Sequence, residues 1–320
     1  MITILVVITF NFLLFRVLPG DPAKSGLRDP RLNPEAVEAL RVRFGLDKPV
    51  LINLETGNPF DSQYFAYLGA LAQGDLGISY AFRNRPVSDL LGQALVNTLW
   101  LVVPAQVAAI ALGTMLGLVA AWRRRTRIDA SALTFSLAMW ALPTFFLGIV
   151  LLYFGSSWFG LPTGGKQTIG AEYASFFDEL LDIGRHLLLP TLTLGLVLLG
   201  EYMLIMRSSV IDVFAEDYIL TAKAKGLSTY RVIRDHALRN ASLPLVTLVA
   251  LSFGFIVAGA IQVETVFSWP GLGELTVRAV GQRDYPVLQG AFLLLAISVV
   301  LANLAADLFY SWLDPRIVES

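Results

Sequence analysis

The residues with the strongest chemical signature are Gly160-Leu-Pro-Thr-Gly-Gly165-Lys166-Gln167, one hydroxyl short of the loop that cradles phosphates on backbone amides and holds magnesium through a Ser or Thr. The setting excludes that chemistry. The stretch follows a long apolar run rather than a strand, opens no buried helix, and its Gly and Pro content is that of a turn. Other catalytic constellations fail on residue supply. Histidine occurs only at His186 and His236, too few and too far apart for a zinc-protease motif or a histidine metal cluster, and no Gly-x-Ser-x-Gly elbow occurs. An intramembrane aspartyl protease needs two aspartates in apolar runs, and Asp307 is alone there. With no cysteine, disulfides and thiolate metal sites are also excluded. The chain reads as a non-enzyme with no catalytic residue, no metal site and no cofactor of its own.

Composition then sets the frame. Hydrophobic residues make up 55% of the 320 and charged residues 15%, with a mean hydropathy of +0.64, which a soluble globule does not tolerate. A net charge of -1 provides no basic field for nucleic acid. A hydrocarbon core of about 30 Å needs roughly 20 apolar residues per helix. Ile2 to Leu18, Ala94 to Ala121, Ala132 to Phe154, Leu187 to Met206, Leu245 to Gln262 and Gly290 to Trp312 meet or approach that length. The expected fold is therefore all-α and polytopic, with six transmembrane helices in the lipid bilayer.

Short loops orient the bundle. Arg123, Arg124, Arg125 and Arg127 lie in one, and Arg207, Lys223, Lys225, Arg231, Arg234 and Arg239 in another, against Lys166, Arg185, Arg278 and Arg283 on the opposite side. Basic residues stay inside, so both termini are expected to be cytoplasmic. The chain divides into a first helix (1–19), an extracytoplasmic region (20–93), a transmembrane core (94–313) with a cytoplasmic loop at 207–243, and a cytoplasmic tail (314–320). The first segment has neither a charged leader nor an Ala-x-Ala-like cleavage site, and we expect a retained helix. In the outer region, Asn33 and Pro34 can start a helix that Gly45 closes. Trp158, Trp269 and Tyr285 suit an interfacial belt.

The loop at 207–243 has the most specific organisation. Asp217 to Lys225 contains strong helix formers, with Asp217 at the dipole's positive end and Lys223 and Lys225 in the last turn. Gly226 supplies a left-handed stop, and Ser228 can cap a second helix carrying Val232, Ile233, His236, Ala237 and Asn240 on one face. Ala222 and Ala224 leave room for another protein to approach the backbone. Two short helices broken at a glycine suit a docking element, the alternative being an ordinary solvated loop.

These residues carry a resemblance. Thr221-Ala222-x-x-x-Gly226, closed by Leu243-Pro244, resembles the cytoplasmic EAA loop of ABC importer permeases. Leu220 and Thr221 replace the leading Glu and Ala, and seventeen residues separate Gly226 from Pro244, both as in the peptide and nickel branch. Arg16-Val-Leu-Pro-Gly-Asp-Pro-Ala23, Phe44-Gly-Leu-Asp-Lys-Pro49, Gln73-Gly-Asp-Leu-Gly77, Phe267-Ser-Trp-Pro-Gly-Leu-Gly273, Asp284-Tyr-Pro-Val-Leu-Gln-Gly290 and Leu313-Asp-Pro-Arg-Ile317 are similar to the B-type permease subunit of dipeptide and oligopeptide importers. The resemblance implies a type I ABC importer permease fold in a bacterial or archaeal cytoplasmic membrane. It implies import of peptides, with nickel chelates or glutathione as alternative cargo. Its implied partners are a second, homologous permease subunit, two cytoplasmic ATPase subunits that use ATP and magnesium, and an extracytoplasmic peptide-binding protein. The coupling residues it points to are Asp217, Thr221, Ala222, Lys223, Ala224, Lys225, Gly226, Leu227 and Arg231.

Polar residues inside the apolar runs are the candidates for a translocation path or gate. Glu201 and Asp307 either line it or find a buried partner or water near the interface; Asn97, Gln106, Gln262 and Asn303 either face a wet cavity or bond between helices. A secondary transporter, the rival from another class, predicts inverted repeats or ion-coupling acids in broken helices, and the sequence offers neither.

Overall fold

A computed structural model describes residues 2–17, 47–53, 58–82, 85–246, 248–249, 252 and 260–313, with backbone alone at 17, 229, 239, 302 and 305–313. Among them the chain is helical, with one isolated bridge between Ile78 and Pro86. The elements are α1 Ile2–Val17, α2 Gln63–Ala72, α3 Val87–Trp122, α4 Arg127–Ala141, α5 Thr144–Phe159, α6 Phe176–Val213, α7 Asp217–Ala224, α8 Thr229–Arg231, a π-helical turn Val232–Ala237, α9 Leu238–Ala241, α10 Ile261–Val266, α11 Leu272–Gln282 and α12 Tyr285–Leu313. The expected helix at Asn33 to Gly45, most of the expected span Leu245 to Gln262 and the tail 314–320 lie outside the described residues, as do Val17 to Ala23 of the first motif beyond the backbone of Val17.

Among the described residues α3 and α6 are each long and apolar enough to cross a membrane. They have 36 and 38 residues and so run about 54 and 57 Å at 1.5 Å per residue. Both exceed the apolar stretches at 94–121 and 187–206, because α3 starts earlier at Val87 and α6 is extended at both ends, to Phe176 and Val213. Ser175 caps α6 by accepting from the Asp178 amide, and Asp178 and Glu179 sit at its positive dipole end. Ala132 to Phe154 differs from the expected single helix. α4 and α5 meet at a 104° bend across Leu142 and Pro143. Proline has no N–H to continue the ladder and pushes the residue before it out of the helical region, and Leu142 is extended at φ -73°, ψ 134°.

The chain forms two units, one of residues 1–96 with 271–300 and one of 97–270 with 301–320. In the first, the Phe12 ring packs on Tyr64 and Tyr67. Asp284, fully buried, accepts from Ser79 Oγ at 2.5 Å and from the Ala81 amide at 3.0 Å, and its carbonyl accepts from the Leu288 amide in the first turn of α12. The Asp-Tyr-Pro motif is thus a buried start to α12 that also holds the 79–81 turn.

The second unit has two core clusters. Leu101, Val102, Ala105, Leu187, Leu194, Val263 and Phe267 form one; Ala109, Leu199, Tyr202, Met206, Val210, Ala241 and Leu245 form the other. Trp269, expected in the interfacial belt, is instead fully buried in the first cluster. Its Nε1 donates to the Asn97 carbonyl at 2.8 Å. An indole has a single donor, and once a backbone carbonyl satisfies it the whole ring can leave the interface. Trp158 is exposed and Tyr285 half-buried.

Candidate functional site

The 217–241 segment forms a small module with a core of its own. After α6 ends, residues 214–216 turn the chain, and α7 carries Ile219 and Ala222 inward against Val232 and Ala237, with Val213, Phe214 and Leu227 around them. The second helix is not uniform. It starts at Thr229, passes through a π turn over Val232–Ala237 and ends in α9. Of the face expected to be apolar, Val232, Ile233 and Ala237 are buried, His236 is half-buried, and Asn240 is exposed with its Nδ2 donating to Tyr218 Oη at 2.7 Å.

Gly226 terminates α7 at φ +78°, the left-handed stop its position in the sequence implies. Its amide bonds to the Lys223 carbonyl at 2.9 Å, and the Leu227 amide reaches the Ala222 carbonyl at 3.4 Å. A Cβ there would meet no atom within 4 Å, so the demand for glycine is conformational. Gly226→Val is therefore expected to strain the turn by about 1–3 kcal/mol, while Gly226→Asn, whose side chain tolerates the left-handed region, is expected to keep the turn. Limited proteolysis at the turn checks both; equal resistance of the two variants contradicts the conformational demand for glycine.

Of the expected coupling residues, Asp217, Thr221, Lys223, Ala224, Lys225, Gly226 and Arg231 are exposed, and Leu227 is half-buried. Ala222 differs: it is 5% exposed and belongs to the module's core. Small size at 222 permits packing within the module, not approach from outside. The open face is formed by Leu220, 54% exposed, with Thr221 and Ala224, one turn apart on α7 and flanked by Lys223 and Lys225. Thr221 Oγ1 donates to the Asp217 carbonyl at 2.9 Å, and Lys223 Nζ lies 5.2 Å from the centre of the Phe214 ring. On the second helix, Arg234 and Asp235 pair at 2.6 Å; the hydrogen bond holds the carboxyl below the usual carboxylate range and the guanidinium above its own.

Among the described path candidates, Gln106 and Asn97 each bond to partners elsewhere in the second unit. Gln106 is buried and donates to Tyr202 Oη, which donates to Ser252 Oγ at 3.1 Å, a polar chain between helices. Asn97 is a knot near the end of the second unit: its Nδ2 donates to the Pro270 carbonyl at 2.9 Å and its Oδ1 accepts from Lys166 Nζ at 2.9 Å. Glu201 is half-buried, Gln262 and Asn303 are exposed, and the side chain of Asp307 lies outside the described residues. The glycine-rich stretch near Lys166 serves the same knot. The Gly165 amide bonds to the Phe267 carbonyl at 2.9 Å, and a Cβ on Gly164 would stand 2.8 Å from that oxygen.

Two further features have sequence signals that hydropathy alone does not bring out. Glu264, just past the fifth apolar run, is fully buried and accepts from Thr98 Oγ1 at 2.6 Å. Gly113 and Gly117, spaced as Gly-x-x-x-Gly in α3, face α6 at backbone contact.

Residues 113–319, which contain the whole module, match the family described as binding-protein-dependent transport system inner membrane component. The chain belongs to this family. The glutathione transport system permease protein GsiC of Escherichia coli (strain K12) is 37% identical over 316 residues, covering 98% of this chain and 94% of that protein. The GsiC proteins of Shigella dysenteriae serotype 1 and Salmonella paratyphi A match equally. Among solved structures, a chain of the inward-facing MetNI methionine ABC transporter shares the fold, with a TM-score of 0.56, 16% identity, and coverage of 70% of this chain and 96% of that one. As a permease of the binding-protein-dependent transport family, the chain is an inner-membrane component, and its mostly helical make-up with α3 and α6 as apolar spans accords with that membership.

Proposed function

We propose that this chain is one permease subunit of an ATP-driven importer for short peptides, glutathione included, and that the 217–241 module is where ATPase subunits engage it. The observation that carries the reading is the module itself: a separately cored pair of short helices at the end of α6, with Leu220, Thr221, Ala224 and Lys225 on an open face. A face with an apolar centre and a basic rim suits a groove on a soluble partner. The peptide-like cargo is supported by the near-full-length likeness to permeases that carry glutathione.

In this reading the chain crosses the membrane six times, with α4 and α5 as one broken crossing, and both termini are cytoplasmic. A second, homologous permease encloses the path with it. An extracytoplasmic binding protein delivers the solute. ATP and magnesium act on the partner ATPase subunits, whose closure moves the module. The module must dock differently in the outward-open and inward-open states, because a contact equal in both shifts no equilibrium.

The chain has no native cysteine, so single cysteines report cleanly. Ala224→Cys and Lys225→Cys are expected to crosslink to the ATPase subunit in membranes, and Ala222→Cys, whose side chain is in the core, is expected to crosslink far less. Absence of crosslinks from both exposed positions would overturn the docking assignment.

A further inference from the structure

We propose that Asp129 and Arg207 are a positioning pair that transmits movement of the 217–241 module to α4, and through the bend at Pro143 to α5. The inference rests on the reading of that module as the ATPase contact. Arg207 lies on α6 less than two turns before its end at Val213, and donates twice to Asp129 in the first turn of α4, Nε to Oδ1 at 2.6 Å and Nη2 to Oδ2 at 2.9 Å. The side chains are 20% and 6% exposed. Asp129 Oδ2 also accepts from the Arg125 amide at 2.9 Å, where Arg125 is left-handed at φ 63°, so the carboxylate fixes the α3–α4 turn as well. A planar fork on a carboxylate resists rotation as well as separation, which a single bond does not.

Position along the helices gives the pair its mechanical sense. Seven residues from Asp129 on α4 and seven from Arg207 on α6 are Ser136 and Gly200, where a Cβ on the glycine would stand 2.6 Å from the Ser136 carbonyl oxygen. α4 and α6 are therefore pinned twice, about 10.5 Å apart along the axes, once by backbone contact and once by the ion pair. Around the ion pair, the end of α6 meets the module on two sides: Val213 and the following Phe214 pack on its core, and Met206 and Val210 share a cluster with Ala241. Force applied to α7 travels along α6 and meets Arg207 seven residues before it meets Gly200. Without the pair, the end of α6 stays against α3 at Gly117 but loses its forked bond to α4.

The test uses the assembled importer, with its partner permease, ATPase subunits and binding protein, reconstituted in lipid vesicles. Arg207→Lys, which keeps the charge and loses the fork, and Asp129→Asn are expected to retain ATP hydrolysis and to lower solute moved per ATP roughly tenfold, equivalent to about 1.4 kcal/mol of coupling. A cysteine pair at the same two positions, joined by a bifunctional thiol reagent that spans the length of the arginine side chain, is expected to restore that ratio. An unchanged ratio in both single variants overturns the proposal. So does loss of assembly in both single variants and in the reagent-joined cysteine pair, since that marks a purely architectural bond. Failure of the unaltered chain to copurify with ATPase subunits overturns instead the docking assignment on which the proposal rests.

Discussion

Gly117→Leu is expected to leave almost no folded permease in the membrane. A Cβ at 117 would stand 2.6 Å from the Met203 carbonyl oxygen, 2.9 Å from Met206 Cβ and 3.1 Å from the Arg207 amide; at Gly113 it would stand 2.7 Å from Tyr202 Cβ and 2.9 Å from the Leu199 carbonyl oxygen. None of these atoms can rotate away. Relief requires α3 and α6 to separate along their whole crossing, where Ala109, Leu199, Tyr202 and Met206 are packed. Lipid tails are as apolar as the side chains, so the helices have little beyond close packing and polar bonds to hold them together. Overpacking a core by a few methylenes costs about 1–3 kcal/mol, and the clash with backbone at 117 sits at or above the upper end. Gly117→Ala, which already places that Cβ, is expected to lose folded protein too, by a smaller margin than leucine. Size-exclusion profiles and thermal aggregation of detergent-solubilised protein measure both, and a leucine variant with unaltered profile and midpoint contradicts the crossing described.

Ala222→Asp is expected to unfold the 217–241 module, whereas Ala224→Asp leaves it folded. The Ala222 side chain is enclosed by Ile219, Val232 and Ala237, all apolar and fully buried. An unpaired carboxylate there costs several kcal/mol or displaces the helix to reach water. Ala224, two residues on, is exposed, so a charge there alters only what the face meets. Limited proteolysis separates the two effects: new cleavage between Phe214 and Ala241 is expected for the 222 variant alone. Loss of uptake is expected for the 222 variant through the fold, and for the 224 variant through docking. Protease resistance at 222 combined with sensitivity at 224 would reverse the assignment of inner and outer faces.

Much of the module was legible in the sequence because its determinants are local. Gly226 is left-handed because α7 ends there, and Asp217 and Lys223 sit where the dipole favours them. The same local reading reversed Ala222. A small side chain is equally suited to a close external contact and to a tight core, and only the position of the second helix decides which. At Trp269 the belt preference of an indole gave way to one hydrogen bond with Asn97, 172 residues away. At 142–143 the proline was visible, but whether it bends a helix slightly or splits it by 104° depends on what each half packs against.

By itself the sequence determined that this is a helical membrane protein with a two-helix element of a known family, since hydropathy, capping and motif spacing act over a few residues and need no partner. Tertiary structure alone decided which small residues are contacts, which polar residues are knots, and that Arg207 reaches back 78 residues to Asp129. The physical reason is that helix packing selects partners by the register and rotation of whole helices. That choice is a property of the pair of surfaces, and neither strand of sequence contains it alone.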